Sequence, residues 1–217
     1  MLAWKAMYKY VINTLKITIL YVIGNGIISV MAGYAFAKMK FKGKEFLYML
    51  LLSFQMIPNA LILIPQFLNA YQLGLYNSHA GVVIPLLGSG AIVSTMLARS
   101  FFEGIPDEIF ESVRTDGGNE FVIVTRFLIP LSKPIIGTNA LFAFFGMFNN
   151  YMWPFLMLKD DGLKVISIGL KSLSGQYGVD YGVQMAAYSI MCIPLMILIA
   201  ATMKVYINGI SAGAVKG

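Results

Sequence analysis

Four runs without a charged residue, 17–37, 46–98, 134–158 and 181–203, dominate this 217-residue chain and constrain what it can become. A helix that crosses a bilayer needs about 20 apolar residues, because its backbone polar groups must be satisfied without water. The second run is long enough for two crossings. Its middle holds Asn69, Gln72, Gly74, Asn77, Ser78 and His79, a polar turn that is costly inside hydrocarbon. Five spans are therefore expected, near residues 11–37, 46–68, 80–99, 133–158 and 182–206. Composition agrees, at 58% hydrophobic and 12% charged against the roughly 25% charged of a soluble domain. The expected fold class is all-α, a polytopic membrane protein with no soluble domain between its spans.

The first run is a span rather than a cleaved signal. Lys5, Lys9 and Lys16 precede it and Ala35-Phe36-Ala37 resembles a cleavage site, but its 21 uncharged residues exceed the usual 7–15 of a signal core. Lys38, Lys40, Lys42 and Lys44 then follow as a stop. Orientation follows from the positive charges, which collect on the cytoplasmic side of short loops. Lys38, Lys40, Lys42, Lys44, Arg99, Arg114, Arg126, Lys133, Lys204 and Lys216 share one side; Lys5, Lys9, Lys16, Lys159, Lys164 and Lys171 share the other. The richer side is the cytoplasm. Residues 1–9 then form an external segment, 10–207 the transmembrane domain and 208–217 a cytoplasmic tail, in a multi-pass protein of the plasma (inner) membrane. The net charge of +6 is topological, and no basic face clusters as nucleic-acid binding would require.

The spans lack the buried acidic residues and histidines through which proton- or sodium-driven carriers couple. Lys16, Glu45, Arg99 and Lys204 lie at span ends, where long side chains reach the interface. One histidine, His79, and one cysteine, Cys192, make neither a zinc site nor a Cys-His pair. His79 is a loop residue and Cys192 a packing residue in this reading. No Gly-rich loop ending in Lys-Ser or Lys-Thr is present, so ATP hydrolysis would belong to another chain. The expected class is a transport subunit rather than an enzyme, with no cofactor. Pro58, Pro65, Pro85, Pro154 and Pro194 bend the spans that hold them. Such bends suit a gated pathway, and they are also common in membrane helices.

Residues 99–133 hold six of the ten acidic residues: Glu103, Asp107, Glu108, Glu111, Asp116 and Glu120. Pro106 suits the first turn of a helix, and Asp107 and Glu108 complement the positive end of its dipole. Phe110 and Val113, three apart, share one face, with Glu111, Arg114 and Thr115 turned elsewhere. Gly117-Gly118 ends the helix and Asn119 caps the next, an amphipathic one through Phe121, Val124, Phe127 and Leu128 that stops near Pro130.

Glu111-Ser112-Val113 followed by Asp116-Gly117, with Phe121 and Ile129-Pro130 downstream, resembles the Glu-Ala-Ala loop of binding-protein-dependent ABC importer permeases. Asn13-Thr14-Leu15, Ala32-Gly33-Tyr34-Ala35-Phe36-Ala37, Met56-Ile57-Pro58, Leu73-Gly74-Leu75-Tyr76-Asn77, Pro106 and Trp153-Pro154 match in order. Gly169-Leu170, Gly175-Gln176-Tyr177, Asp180-Tyr181 and the terminal Gly213-Ala214-Val215-Lys216-Gly217 are similar to the sugar-import branch related to maltose permeases. Two departures from the pattern stand out: Ser112-Val113 replaces Ala-Ala, and Gly118 replaces the usual Ala. Such permeases usually carry a sixth span before the Asn-Thr-Leu segment, so a chain truncated at its N-terminus, acting at most as a membrane scaffold, is the alternative expectation.

The resemblance implies a coupling element at Phe110, Glu111, Ser112, Val113, Arg114, Asp116 and Gly117 that docks on cytoplasmic ATP-binding subunits. A second permease subunit, an extracytoplasmic solute-binding protein and membrane lipid complete the implied partners. In this reading Phe110 and Val113 are an apolar anchor, and Glu111 and Asp116 either accept hydrogen bonds from the ATPase or cap local backbone donors. Asn149, Asn150, Tyr151 and Trp153 are either part of the solute path, since amides and aromatic faces suit sugar rings, or aromatics at the headgroup level. The external segment 159–180 lies against the outer surface or meets the solute-binding protein.

Overall fold

The computed structural model describes residues 2–172 and scattered positions between 174 and 200. Among the described residues two helices are each long and apolar enough to cross a membrane, α1 (Leu2–Lys38), whose apolar part is Tyr8–Lys38, and α4 (His79–Glu103), and two bent helix pairs pass the same test when each is taken as one broken span. Lys38 closes α1 where a cation meets the negative end of the helix dipole. Ser78 caps α4, its Oγ accepting from Gly81 N at 3.0 Å. The two helices approach closely along small residues. A methyl group on Gly33 would lie 2.7 Å from Ala98 Cβ, and one on Gly90 would collide with the Tyr21 hydroxyl.

The second expected span is instead two helices, α2 (Lys44–Phe54) and α3 (Asn59–Gln72), bent by 97°. Pro58, at φ −58° and ψ 129°, is extended, and the residue before a proline is pushed away from helical geometry, so the helix stops at Phe54 and restarts at Asn59. Arg99 ties this bent pair to α4. Its Nη2 donates to both Glu45 oxygens at 2.9 and 3.0 Å, its Nε donates to Glu103 at 2.7 Å, and its guanidinium lies 3.9 Å from the Tyr48 ring centroid. The polar turn between α3 and α4 is present, with Gly74 and Asn77 at φ 70° and 55°.

Past α4 come α5 (Asp107–Thr115), α6 (Glu120–Leu131) and α7 (Lys133–Phe148), with a 79° corner between the last two. Within α6 the stretch Ile123–Leu128 widens into a π-helix. The fourth span does not run unbroken to residue 158. It stops at Phe148 and restarts as α8 (Met152–Met157). The asparagine pair explains the break: Asn149 Nδ2 bonds Phe145 O at 3.0 Å, and Asn150 Oδ1 accepts from Trp153 N at 3.3 Å, capping the restarted helix. A short helix α9 (Ile166–Ser172) follows, then an antiparallel pairing of Ser174–Gly175 with Gly178–Val179. Within the segment 159–180, Val165, Ile166 and Ile168 are buried, and Ile166 N donates to Thr14 Oγ1 on α1 at 2.9 Å. The fifth span, 182–206, is described only at scattered positions. The tail, 208–217, lies outside the described residues.

The core divides in two along α1. Val30 and Tyr34 join Ala98, Phe102, Phe110, Val113, Ile123, Val124 and Leu128 at the end that carries α5. Ile17 and Tyr21 join Val82, Met147, Trp153, Met157 and Val165 toward the opposite end.

Candidate functional site

Helix α5 begins after Pro106, whose extended backbone at ψ 135° sets the entry, and carries Asp107 and Glu108 in its first turn. Its end is fixed by glycine. Gly117 stands at φ 82°, left-handed geometry that costs a residue with a Cβ about 1–2 kcal/mol. Gly117 N then bonds Arg114 O at 3.0 Å and Gly118 N bonds Val113 O at 2.8 Å, satisfying two carbonyls of the last turn. Asn119 Oδ1 accepts from Val122 N at 3.0 Å and starts α6, as its residue type led one to expect.

The faces of α5 are sharply divided. Phe110 is 1% and Val113 7% exposed, so the apolar pair expected to meet a partner is enclosed by the chain's own core, with the Phe110 ring edge-on to Tyr34 at 5.9 Å. Glu108, Glu111, Ser112, Thr115 and Asp116 are exposed. Ser112 Oγ and Thr115 Oγ1 bond back to Ile109 O and Glu111 O. Arg114 is half turned inward, its Nε donating to Glu120 Oε1 at 3.0 Å and its Nη2 to the Tyr34 hydroxyl at 3.2 Å. Asp107 accepts from Lys38 Nζ at 2.6 Å, which holds its carboxyl below the ordinary aspartate range. Phe121 departs from the amphipathic expectation. It is 75% exposed, whereas Val124 and Leu128 of the same expected face are buried and Ile123 is buried with them.

A second feature lies at the bend between α2 and α3. A cavity of about 670 Å³ opens there, lined by Tyr21, Gln55, Asn59, Ser89, Asn150 and Met147 among others, with no charged residue in its lining among the described residues. Of the four residues singled out for a solute path, Asn150 alone reaches it. Asn149 is exposed. Tyr151 stacks on Phe155 at 5.3 Å, and Trp153 is buried, its Nε1 donating to Gly81 O at 3.1 Å. Trp153 thus packs inside the chain and does not reach this cavity. The signal for the cavity was in the sequence, as Gln55 and Asn59 flanking Pro58 and the triplet Gly88-Ser89-Gly90, polar or small positions inside an otherwise apolar run. Beside it, Asn25 is 1% exposed and neither amide atom forms a well-shaped hydrogen bond.

Residues 24–211 match the model of a protein family described as binding-protein-dependent transport system inner membrane component. The arabinooligosaccharides transport system permease protein AraQ of Halalkalibacterium halodurans is 30% identical over 205 residues, covering 94% of this chain and 73% of that one. The galactooligosaccharides transport system permease protein GanQ of Bacillus subtilis is 28% identical over 219 residues, covering 99% and 77%. Among solved structures, a bacterial ABC transporter involved in the import of the acidic polysaccharide alginate matches with a TM-score of 0.81 at 26% identity, over 92% of this chain and 75% of that chain.

Proposed function

Because the chain belongs to the family of binding-protein-dependent transport system inner membrane components, we propose that it is the permease subunit of an ATP-driven importer for a neutral sugar or oligosaccharide. The observation that carries the coupling role is the division of α5: Phe110 and Val113 are spent inside the permease, and Glu108, Glu111, Ser112 and Asp116 face outward. The helix is therefore fixed to its own subunit through one face and presents the other. Glu111 and Asp116 make no ion pair among the described residues, which leaves both carboxylates available to donors on an ATPase. Exposed Phe121, four residues past Gly117, supplies the apolar surface first assigned to Phe110.

In this reading α5 and the lysine-rich turn after α1 lie in the cytoplasm, where a pair of ATP-binding subunits receives α5. A second permease completes the pathway, and a solute-binding protein delivers to the opposite face. The uncharged cavity suits the solute: Gln55, Asn59, Ser89 and Asn150 offer hydrogen bonds to hydroxyl groups without the cost of burying an ionic partner. The names of the relatives, arabinooligosaccharide and galactooligosaccharide permeases, support the same class.

The test is uptake by proteoliposomes holding this chain with its partner subunits. Gly117→Val and Glu111→Lys should each abolish uptake and release the ATPase from the membrane. Normal uptake in both variants sinks the coupling role, and uptake of anionic but not neutral oligosaccharides sinks the substrate class.

A further inference from the structure

Two polar grips join α5 and its surroundings to the last turn of α1. In the first, the Tyr34 hydroxyl donates to Glu120 Oε2 at 2.6 Å and accepts from Arg114 Nη2 at 3.2 Å, while Arg114 and Glu120 close the triangle at 3.0 Å. One turn further, Lys38 Nζ donates to Ile105 O and to Asp107 Oδ1, both at 2.6 Å, and lies 5.6 Å from the Phe110 ring centroid. The Lys38 side chain is 7% exposed, so the grip is largely enclosed. Tyr34 and Lys38 are four residues apart and share one face of α1. Both ends of α5 are held, at Asp107 and at Arg114.

Resting on the importer reading, we propose that α1 is the arm that carries movement of α5 to the solute cavity, with Tyr34, Lys38 and Glu120 as positioning residues that engage it. Helix α1 contains no proline, whereas Pro65 interrupts α3 and Pro85 interrupts α4. From Tyr34 it runs thirteen residues, about 20 Å, to Tyr21, which lines the cavity and abuts Gly90. Helix α4 leads into α5 through residues 104–106, and its side chains Ala98 and Phe102 share only an apolar cluster with Phe110 and Val113. Apolar contacts are non-directional and can slide, whereas hydrogen bonds lose strength steeply with angle and distance. The polar grips therefore make α1 follow α5 in register.

The experiment compares solute moved per ATP hydrolysed in the complete reconstituted transporter. Tyr34→Phe keeps the ring against Phe110 and removes the hydroxyl; Glu120→Gln keeps the shape and removes the charge. Each should retain the ATPase in the complex and continue to hydrolyse ATP, while transport per ATP falls at least about threefold, as expected for losing one charge-assisted hydrogen bond. The double variant should be no worse than the poorer single one. Unchanged transport per ATP in both single variants overturns the proposal, as does loss of uptake only in proportion to loss of bound ATPase. Should Tyr34→Phe fail to assemble, Glu120→Gln, whose side chain is half exposed, decides the matter alone. A wild-type complex that neither holds the ATPase nor imports solute overturns the importer reading and the proposal with it, which separates the two failures.

Discussion

Val113 and Gly118 border one small space: a methyl group on Gly118 would lie 2.6 Å from Val113 Cγ1 and 2.8 Å from Val113 O. Two of the three positions where the loop departs from the usual small-residue pattern are thus in contact, and the side chain and carbonyl of Val113 take the room that an alanine at 118 would need. Gly118→Ala should destabilise the chain by about 1–3 kcal/mol, the range for overpacking. Adding Val113→Ala removes the Cγ1 contact but leaves the backbone oxygen at 2.8 Å and thins the core around a buried side chain, so it should recover part of that loss. Thermal unfolding of the solubilised transporter measures both, and a double variant no more stable than Gly118→Ala alone would refute the compensation.

Asn77 is the fastening point of the turn opposite α5. Its Oδ1 accepts from Lys159 N and Asp160 N at 3.0 Å each, its Nδ2 donates to Asp160 Oδ2 at 2.8 Å, and its own N donates to Met157 O at 2.8 Å. Its φ of 55° is one that asparagine tolerates better than most side chains. Asn77→Ala should cost about 1–3 kcal/mol. Hydrogen exchange at the amides of Lys159 and Asp160 should rise, while exchange in α5 should not change.

Asp161 accepts from the Tyr10 hydroxyl at 2.9 Å and from Lys164 Nζ at 3.1 Å, and these contacts hold its carboxyl below the ordinary value of 3.8. A carboxyl depressed in the folded state adds stability that is present above its unfolded pKa and is lost as pH falls through the folded one. The stability difference between wild type and Asp161→Asn should therefore stay constant from neutral pH down to about 5 and shrink below about 4. A difference that grows on acidification would contradict this assignment.

The cavity makes a separable prediction. Gln55→Leu and Asn59→Leu remove polar lining atoms without touching α5. Uptake should slow by about fivefold or more, the effect of one hydrogen bond of roughly 1 kcal/mol, while ATPase retention stays at the wild-type level. A loss of bound ATPase would show instead that these residues hold the fold.

The segment around α5 was legible because its signals are local. Pro106, the acidic first turn, Gly117-Gly118 and Asn119 each act within a few residues, and each does in the structure what its chemistry suggests. Periodicity also paired Phe110 with Val113, but a nine-residue helix does not reveal which side its neighbours occupy, and the pair proved to be core. Phe121 was misplaced because its spacing to Val124 and Leu128 does not say whether the first turn of the helix has a neighbour to pack against. Proline 58 was visible, yet hydrophobicity alone does not say whether a membrane helix bends or breaks. Asn149 and Asn150 were read as solute-path or interfacial residues, and no residue pattern announced that they also end one helix and cap the next. The cavity joins α1, the α2–α3 break, α4 and α7, and no single window of sequence contains it.

Helix α1 is pinned near both ends. Tyr10, Asn13 and Thr14 clasp residues 161–166, and Tyr34 and Lys38 clasp the region of α5, about 36 Å away along the axis. Sliding by one turn, about 5.4 Å, or spinning about its axis would break both clasps together. Tilting as a rigid body, with each clasp following its own end, breaks neither. The permitted motion of α1 is thereby reduced to a rocking of the whole rod, in which a displacement at the α5 clasp reaches Tyr21, between the two pins, in proportion to its distance from the far clasp.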